Sequence, residues 1–216
     1  MNFNPDIHHR RSIRLCGYDY SQTGAYFVTI CTQQRENLFG EIADGDMVLN
    51  AAGHMIQAVW NAIPEHYPGI DTAEFVVMPN HIHGIILIVG AAPRGRPEPN
   101  NPIVGAAPRG RPEPGRPESG QAQGPAPTVR LSLPDVVHRF KTMTTKRYVD
   151  GVNQLDWPAF PGRLWQRTYW EHVIRNESDF LRISEYIQHN PAQWTQDRLN
   201  AISPYPENGS APSDKQ

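Results

Sequence analysis

The chain has 216 residues, with 20 lysines and arginines against 22 aspartates and glutamates and a formal net charge of −2. That balance excludes a protein that grips nucleic acid through global positive charge, so any basic footprint must be local. Hydrophobic residues at 38% suit a globular chain of one or two domains, and the roughly 18 consecutive apolar residues of a membrane-spanning helix are not found.

The N-terminal stretch "MNFNPDIHHRRSIRLCGYDY" carries arginines without the apolar stretch of a secretory signal. Cys16 and Cys31 form no CxxC pattern and read as reduced, non-ligand thiols of a cytoplasmic protein. "AYFVTICT" (25–32), aromatic and β-branched, predicts a strand. "NLFGEIADGDMVLN" (37–50) places Asp-Gly between short apolar pieces and predicts a small hairpin. In "AAGHMIQAVWNAIPEHYP", Met55, Ile56, Val59, Trp60 and Ile63 recur at helical spacing. "EFVVMP" and "HIHGIILIVG" predict two strands joined by a tight turn at Pro79-Asn80, the second apolar on both faces as a central strand is.

The 21 prolines are concentrated. Residues 91–127 hold ten of them with six glycines and no aromatic residue, and "VGAAPRGRPEP" at 89–99 recurs letter for letter at 104–114. The repeat has no apolar face to stack, so 91–127 is expected to be a disordered, partly polyproline insert. Beyond it, "SLPDVVHRFKTMTTKRYV" predicts a helix capped by Ser132 with Pro134 in its first turn. "YWEHVIR" (169–175) predicts a further strand, and "NESDFLRISEYIQHNP" a last helix opened by Asn176 and stopped by Pro191. The order β, α, β, β, α, β, α predicts an α+β fold: a ferredoxin-like split βαβ core with a central antiparallel sheet and an added C-terminal helix.

Two places carry candidate chemistry. His81 and His83 are two apart on a strand, so both imidazoles point to one face, which can supply half of a metal site or merely a pair of surface histidines. Tyr186 and Asn190 are four apart on the last helix and share its face. Taken alone, Tyr186 reads first as a core aromatic, with Ile183 and Ile187 its neighbours on an amphipathic helix, and Asn190 reads equally as the residue that ends a helix before Pro191.

Taken together, "YFVTICTQQRENLFGEI", "VVMPNHIHGIILI", "SLPDVVHRFKTMTTKRY", "LWQRTYWEHVIRNESDF" and "YIQHNPAQW" resemble the REP-associated tyrosine transposases of the single-tyrosine HUH superfamily. The resemblance implies one domain over residues 10–194, interrupted by the 91–127 insert and followed by a disordered tail over 195–216. It implies that His81 and His83 are metal ligands with Ile82 as the hydrophobic middle, that Tyr186 is the nucleophile, and that Asn190 stands where relatives place a third, polar ligand. Asparagine is shorter than the glutamine some relatives carry, and His189 is a competitor for that role. Magnesium or manganese is the implied ion, with zinc possible in vitro.

The implied activity is nicking and joining of single-stranded or hairpin DNA from repetitive extragenic palindromes, through a 5′-phosphotyrosine, by a monomer or homodimer. Arg10, Arg11 and Arg14 form one candidate DNA-binding patch, and Arg139, Lys141, Lys146 and Arg147 on the long helix form another. Three rival readings stay open: a metal-dependent hydrolase in which water attacks, a protein that holds palindromic DNA without cutting it, and an HUH-type replication initiator or relaxase.

Overall fold

A computed structural model describes residues 15, 17–89 and 131–200. The 91–127 insert, Arg10, Arg11, Arg14, Cys16 and the tail from 201 lie outside the described residues.

Among the described residues, six strands and four α-helices follow the expected order. They are β1 (Gly24–Cys31), the hairpin β2 (Gly40–Ala43) and β3 (Asp46–Leu49), α1 (Ala51–Asn61), α2 (Ile63–His66), β4 (Ile70–Val77), β5 (His81–Ile88), α3 (Leu133–Gln154), β6 (Trp170–Ile174) and α4 (Glu177–His189). The main sheet runs β4-β5-β1-β6 with every neighbour antiparallel, which is the strand order of a split βαβ, ferredoxin-like core. The hairpin forms a separate two-stranded sheet. Its turn residues Asp44 and Gly45 have φ of 52° and 87°, the left-handed pair that lets a two-residue turn follow the twist of its strands.

Local chemistry sets the helix boundaries. The Asn50 side chain accepts from the Gly53 N–H at the start of α1, and Asn176 accepts from Asp179 N–H at the start of α4. At α3 the Asp135 carboxylate accepts from both the backbone N–H and the hydroxyl of Ser132. The helical spacing over 51–68 gives two helices, because Pro64 has no N–H to continue the ladder past Ala62. Strand β4 begins four residues ahead of the expected "EFVVMP", in polar sequence. It is an edge strand whose register shifts between Thr72 and Phe75, so its start lacks the apolar alternation that marks a strand.

Alternation along the strands then sorts the two faces of the sheet. Tyr26, Val28, Ile82 and Ile86 pack with Trp60 of α1 and with Val136, Val137 and Phe140 of α3 in the larger core. Phe27 and Ile85 point the other way and pack with Ile183 and Ile187 of α4. His81 and His83 share the parity of Ile85, so the fold delivers them to the α4 face. Among the described residues, no helix is long and apolar enough to cross a membrane.

Candidate active site

The two histidines enter the site from the middle of the sheet. β5 is covered on both faces, and His81 and His83 are 0% and 2% exposed. Their Nε2 atoms approach to 3.0 Å. On the far side of each ring a partner holds Nδ1: Asn80 Oδ1 at 2.8 Å from His81, and the Thr29 hydroxyl at 2.8 Å from His83. The tautomer of His81 follows from Asn80, whose amide nitrogen is already committed to the carbonyls of Arg35 and Leu199. Its Oδ1 can only accept, so His81 carries its proton on Nδ1 and presents a bare Nε2. Thr29, directly opposite His83 in the β1–β5 ladder, can accept the Nδ1 proton of His83 in the same way. Two lone pairs facing each other across 3.0 Å repel unless a cation or a proton lies between them.

Burial keeps both rings neutral, which is the form that ligates. It pushes His83 down to about 3, and His81 is lowered well below the usual histidine value by burial, by His83 and by the Arg35 guanidinium.

The chain after α4 closes the site. A 3-10 turn over Pro191–Gln196 brings Trp194 to 6.0 Å from the His81 ring, centroid to centroid, and sets Asp197 beside it. Asp197 Oδ1 accepts from Leu199 N–H at 2.7 Å, while Oδ2 lies 3.6 Å from His81 Nε2. His81, His83 and Asp197 offer ligand atoms that all lie within 4.8 Å of one another. Asp197 Oδ2 and Asn190 Oδ1 are both buried without a hydrogen-bond partner among the described residues. Buried oxygens are rarely left unpaired, and two orphaned oxygens beside the Nε2 atoms of two neutral imidazoles form a donor set that fits a divalent cation.

Asp197 was missed in the sequence because the tail was expected to be disordered from residue 195. Residues up to 200 are instead tied down, with the Arg198 carbonyl accepting from the Arg35 guanidinium and the Leu199 carbonyl from Asn80. The available signal was that Asp197 is the first carboxylate after Glu185.

Tyr186 comes down onto this cluster from α4. Its hydroxyl is 3.4 Å from His83 Nε2, and its ring stands edge-on to His83 and Phe27 at 5.2 and 6.0 Å. The reading of Tyr186 as a core aromatic does not hold: it is 42% exposed, whereas Ile183 and Ile187 on the same helix are 4% and 1%. Burial of the hydroxyl end raises the phenol above its ordinary value, and the Asp197 carboxylate raises it further. A hydrogen bond from the Asn190 side chain opposes both. Asn190 is buried as expected for a residue that faces the cluster. His189, the competitor, is exposed and directs Nδ1 to the Glu185 carbonyl at 2.8 Å, on its own helix.

The other sequence candidates stand apart. Arg139, Lys146 and Arg147 are exposed on α3, which packs on the face of the sheet opposite to α4. Lys141 donates to the carbonyls of Gln166, Arg167 and Thr168, and Arg139 lies over the Tyr67 ring at 5.1 Å. Cys31 sits opposite His81 in the ladder, but burial pushes its thiol up to about 11, so it stays protonated.

Tyr186, Asn190 and Asp197 open onto a cleft of about 820 Å³, with Trp170, His172 and Arg182 on its outer wall. Fold and site together define a ferredoxin-like protein with a buried two-histidine, one-carboxylate cluster faced by a tyrosine. The chain belongs to one family with an uncharacterized protein of Haemophilus influenzae, to which it is 39% identical over 197 residues, 91% of this chain and 96% of that protein. It is similar to REP-associated tyrosine transposases. One of them, a Haemophilus influenzae protein named "Putative REP-associated tyrosine transposase", is 22% identical over 175 residues, 81% of this chain and 74% of that one. Similar solved structures include a REP-associated tyrosine transposase bound to a REP hairpin, with a TM-score of 0.47, 18% identity, and coverage of 83% of this chain and 73% of that chain. Another is described as "a putative transposase from deinococcus radiodurans r1", with a TM-score of 0.40, 17% identity, and coverage of 81% and 95%. No protein-family model matches the chain.

Proposed function

We propose that this chain is a DNA nicking and joining enzyme of the transposase type, acting on single-stranded hairpin DNA of the repetitive palindrome class with Tyr186 as its nucleophile. The observation that carries this reading is the Tyr186 hydroxyl 3.4 Å from His83 Nε2, over a buried cluster with two orphaned oxygens. A tyrosine with a purely structural part would not need its hydroxyl aimed at an imidazole nitrogen of a buried cluster. The similarity to a REP-associated tyrosine transposase supports the same substrate class.

In the proposed reaction the Tyr186 oxygen forms a bond to the scissile phosphorus and the bond from phosphorus to the 3′ oxygen breaks. The phenol gives up its proton, and the departing 3′ oxygen takes one. A 5′-phosphotyrosine and a free 3′-hydroxyl result, and a second 3′-hydroxyl reverses the step on a new strand. His81 Nε2, His83 Nε2 and Asp197 Oδ2 would hold a divalent ion, magnesium or manganese, with Asn190 Oδ1 as a further oxygen. When bound, that ion supplies neutralisation of charge on a phosphate oxygen and lowers the phenol's pKa. The chain's own part is positional. Helix α4 holds the phenol at the mouth of the cluster, and Asn190 donates to it in the direction that favours the phenolate. A chain with this activity would work in the cytoplasm, where a bacterial chromosome lies.

The test is a labelled hairpin oligonucleotide incubated with manganese and run on a denaturing gel. The wild-type chain should leave a DNA band that migrates with protein, and Tyr186→Phe should bind the hairpin but give neither band nor cut. Cutting without an adduct would point to attack by water, and binding with no cutting in the wild type would leave only a DNA-holding protein.

A further inference from the structure

The outer wall of the cleft carries an aromatic residue that the reaction above does not use. Trp170 begins β6, the strand at the edge of the sheet, and is 43% exposed. An indole is costly to leave in water, and both cores are within reach of β6, through Val173 and Ile174. Its neighbours are organised around it. The Phe27 ring meets Trp170 edge-on at 5.4 Å and Tyr186 edge-on at 6.0 Å, so a single ring separates the indole from the phenol. The His172 ring lies parallel to Trp170, with 6° between planes and 6.2 Å between centroids. That spacing reflects the rise of two residues along a strand, about 6.6 Å.

His172 is itself locked, since its Nε2 is 2.8 Å from Asp179 Oδ2. The other oxygen of Asp179 accepts from Arg182 at 2.6 Å, and the Arg182 side chain remains 69% exposed. The wall of the cleft is therefore a fixed aromatic surface with a cation beside it, one ring away from the proposed nucleophile.

We propose that Trp170 is the stacking surface for an unpaired nucleobase next to the scissile phosphate, with Arg182 facing the adjoining backbone. This rests on the reading of the cleft as a site for single-stranded DNA. The chemistry fits an unpaired base better than a protein partner. One exposed indole is too small a patch to hold a protein, whereas every base has a π-face to lay on it, and the nearby guanidinium suits a polyanion. An unpaired base is also what a hairpin with a single-stranded flank offers. A base-paired stem keeps its faces covered.

The experiment measures fluorescence anisotropy of two labelled hairpins, one with an unpaired flank and one blunt, in the Tyr186→Phe background so that no DNA is cut. Trp170→Ala should weaken binding of the flanked hairpin about tenfold, within the range for one stacked base. It should leave the blunt hairpin unchanged, and Trp170→Phe should recover most of the loss. An abasic residue in the flank should cost about the same in the background protein and almost nothing further in Trp170→Ala, since the two changes remove one contact. Part of the indole packs on Phe27, so Trp170→Ala should lower the melting temperature modestly, and the unchanged blunt hairpin shows that the fold survives. Equal affinity of Trp170→Ala and background for the flanked hairpin would overturn the stacking role alone, provided the otherwise wild-type chain forms the covalent adduct. Absence of any single-strand binding or adduct in the wild type would overturn this inference and the proposed function together.

Discussion

Thr29 and His83 face each other across the β1–β5 ladder, with the threonine hydroxyl 2.8 Å from the imidazole Nδ1. The contact is buried and fixes which nitrogen of His83 faces the cluster. Thr29→Val keeps the shape and the β-branch but removes the hydroxyl, leaving the buried Nδ1 of His83 without its partner. Two effects should follow. The metal-free protein should lose about 1–3 kcal/mol of stability, and manganese affinity by titration calorimetry should fall about 10- to 100-fold, as for loss of the partner behind a ligating histidine. Unchanged manganese affinity would mean that Thr29 does not set the orientation of His83.

Lys141 directs its charge into the fold. Its ammonium donates to the carbonyls of Gln166, Arg167 and Thr168, which lead into β6. Lys141→Met keeps the aliphatic stem and leaves those carbonyls without a charged donor. The expected loss is about 1–2 kcal/mol in denaturant melts, the lower end for a charged hydrogen bond because part of the group is exposed. The salt dependence of hairpin binding should stay as in the wild type. A shallower salt slope for this variant would return Lys141 to the phosphate-binding residues.

The fold was legible because its strands and helices obey the two periods of apolar spacing and carry strong punctuation: Asp44-Gly45 at the hairpin, Ser132 with Asp135 at α3, Asn176 at α4. The start of β4 was not legible, because a bulged edge strand need not alternate. Within the site, His81 and His83 could be placed on one face by spacing alone, and Tyr186 with Asn190 likewise. Spacing could not bring the two pairs together, because the contact between β5 and α4 is a property of the packed sheet. Asp197 lay beyond reach for a different reason. Its segment has no periodicity, and it is ordered by side chains from distant positions, Arg35 and Asn80, that only the fold assembles.

Gly84 lies between His83 and Ile85 and faces the larger core. A Cβ built there would come within 2.4 Å of the Trp60 ring and 2.9 Å of Phe75, two rings stacked at 4.4 Å on each other. Neither ring can give way without disturbing α1 or β4. Gly84→Ala should therefore cost about 1–3 kcal/mol by overpacking, a drop of several degrees at about 2–4 °C per kcal/mol for a domain of this size. Since β5 must shift to relieve the clash, manganese affinity should fall with it. A variant that melts with the wild type would show that the Trp60–Phe75 stack yields more easily than its geometry implies.

Asp197 and Asn190 can be ranked as ligands by a pair of variants read with and without metal. Both present a buried oxygen lacking a hydrogen-bond partner among the described residues, but only Asp197 offers a carboxylate. Burial is the largest influence on Asp197 and raises its pKa, against the Leu199 N–H and the Arg35 guanidinium, which lower it. A carboxyl whose folded pKa lies above its unfolded value stabilises the fold at low pH and loses that contribution as pH rises through the folded pKa. Burial thus makes the ionised form of Asp197 costly to the metal-free fold. Asp197→Asn should raise the melting temperature in chelator, whereas Asn190→Ala should lower it slightly through lost packing. Manganese should reverse the order. The wild type should gain most, Asn190→Ala somewhat less, and Asp197→Asn least, with a loss of affinity at least as large as the roughly 10- to 100-fold typical of a supporting residue. Equal manganese stabilisation in Asp197→Asn and wild type would remove the carboxylate from the cluster and leave Asn190 as the third ligand.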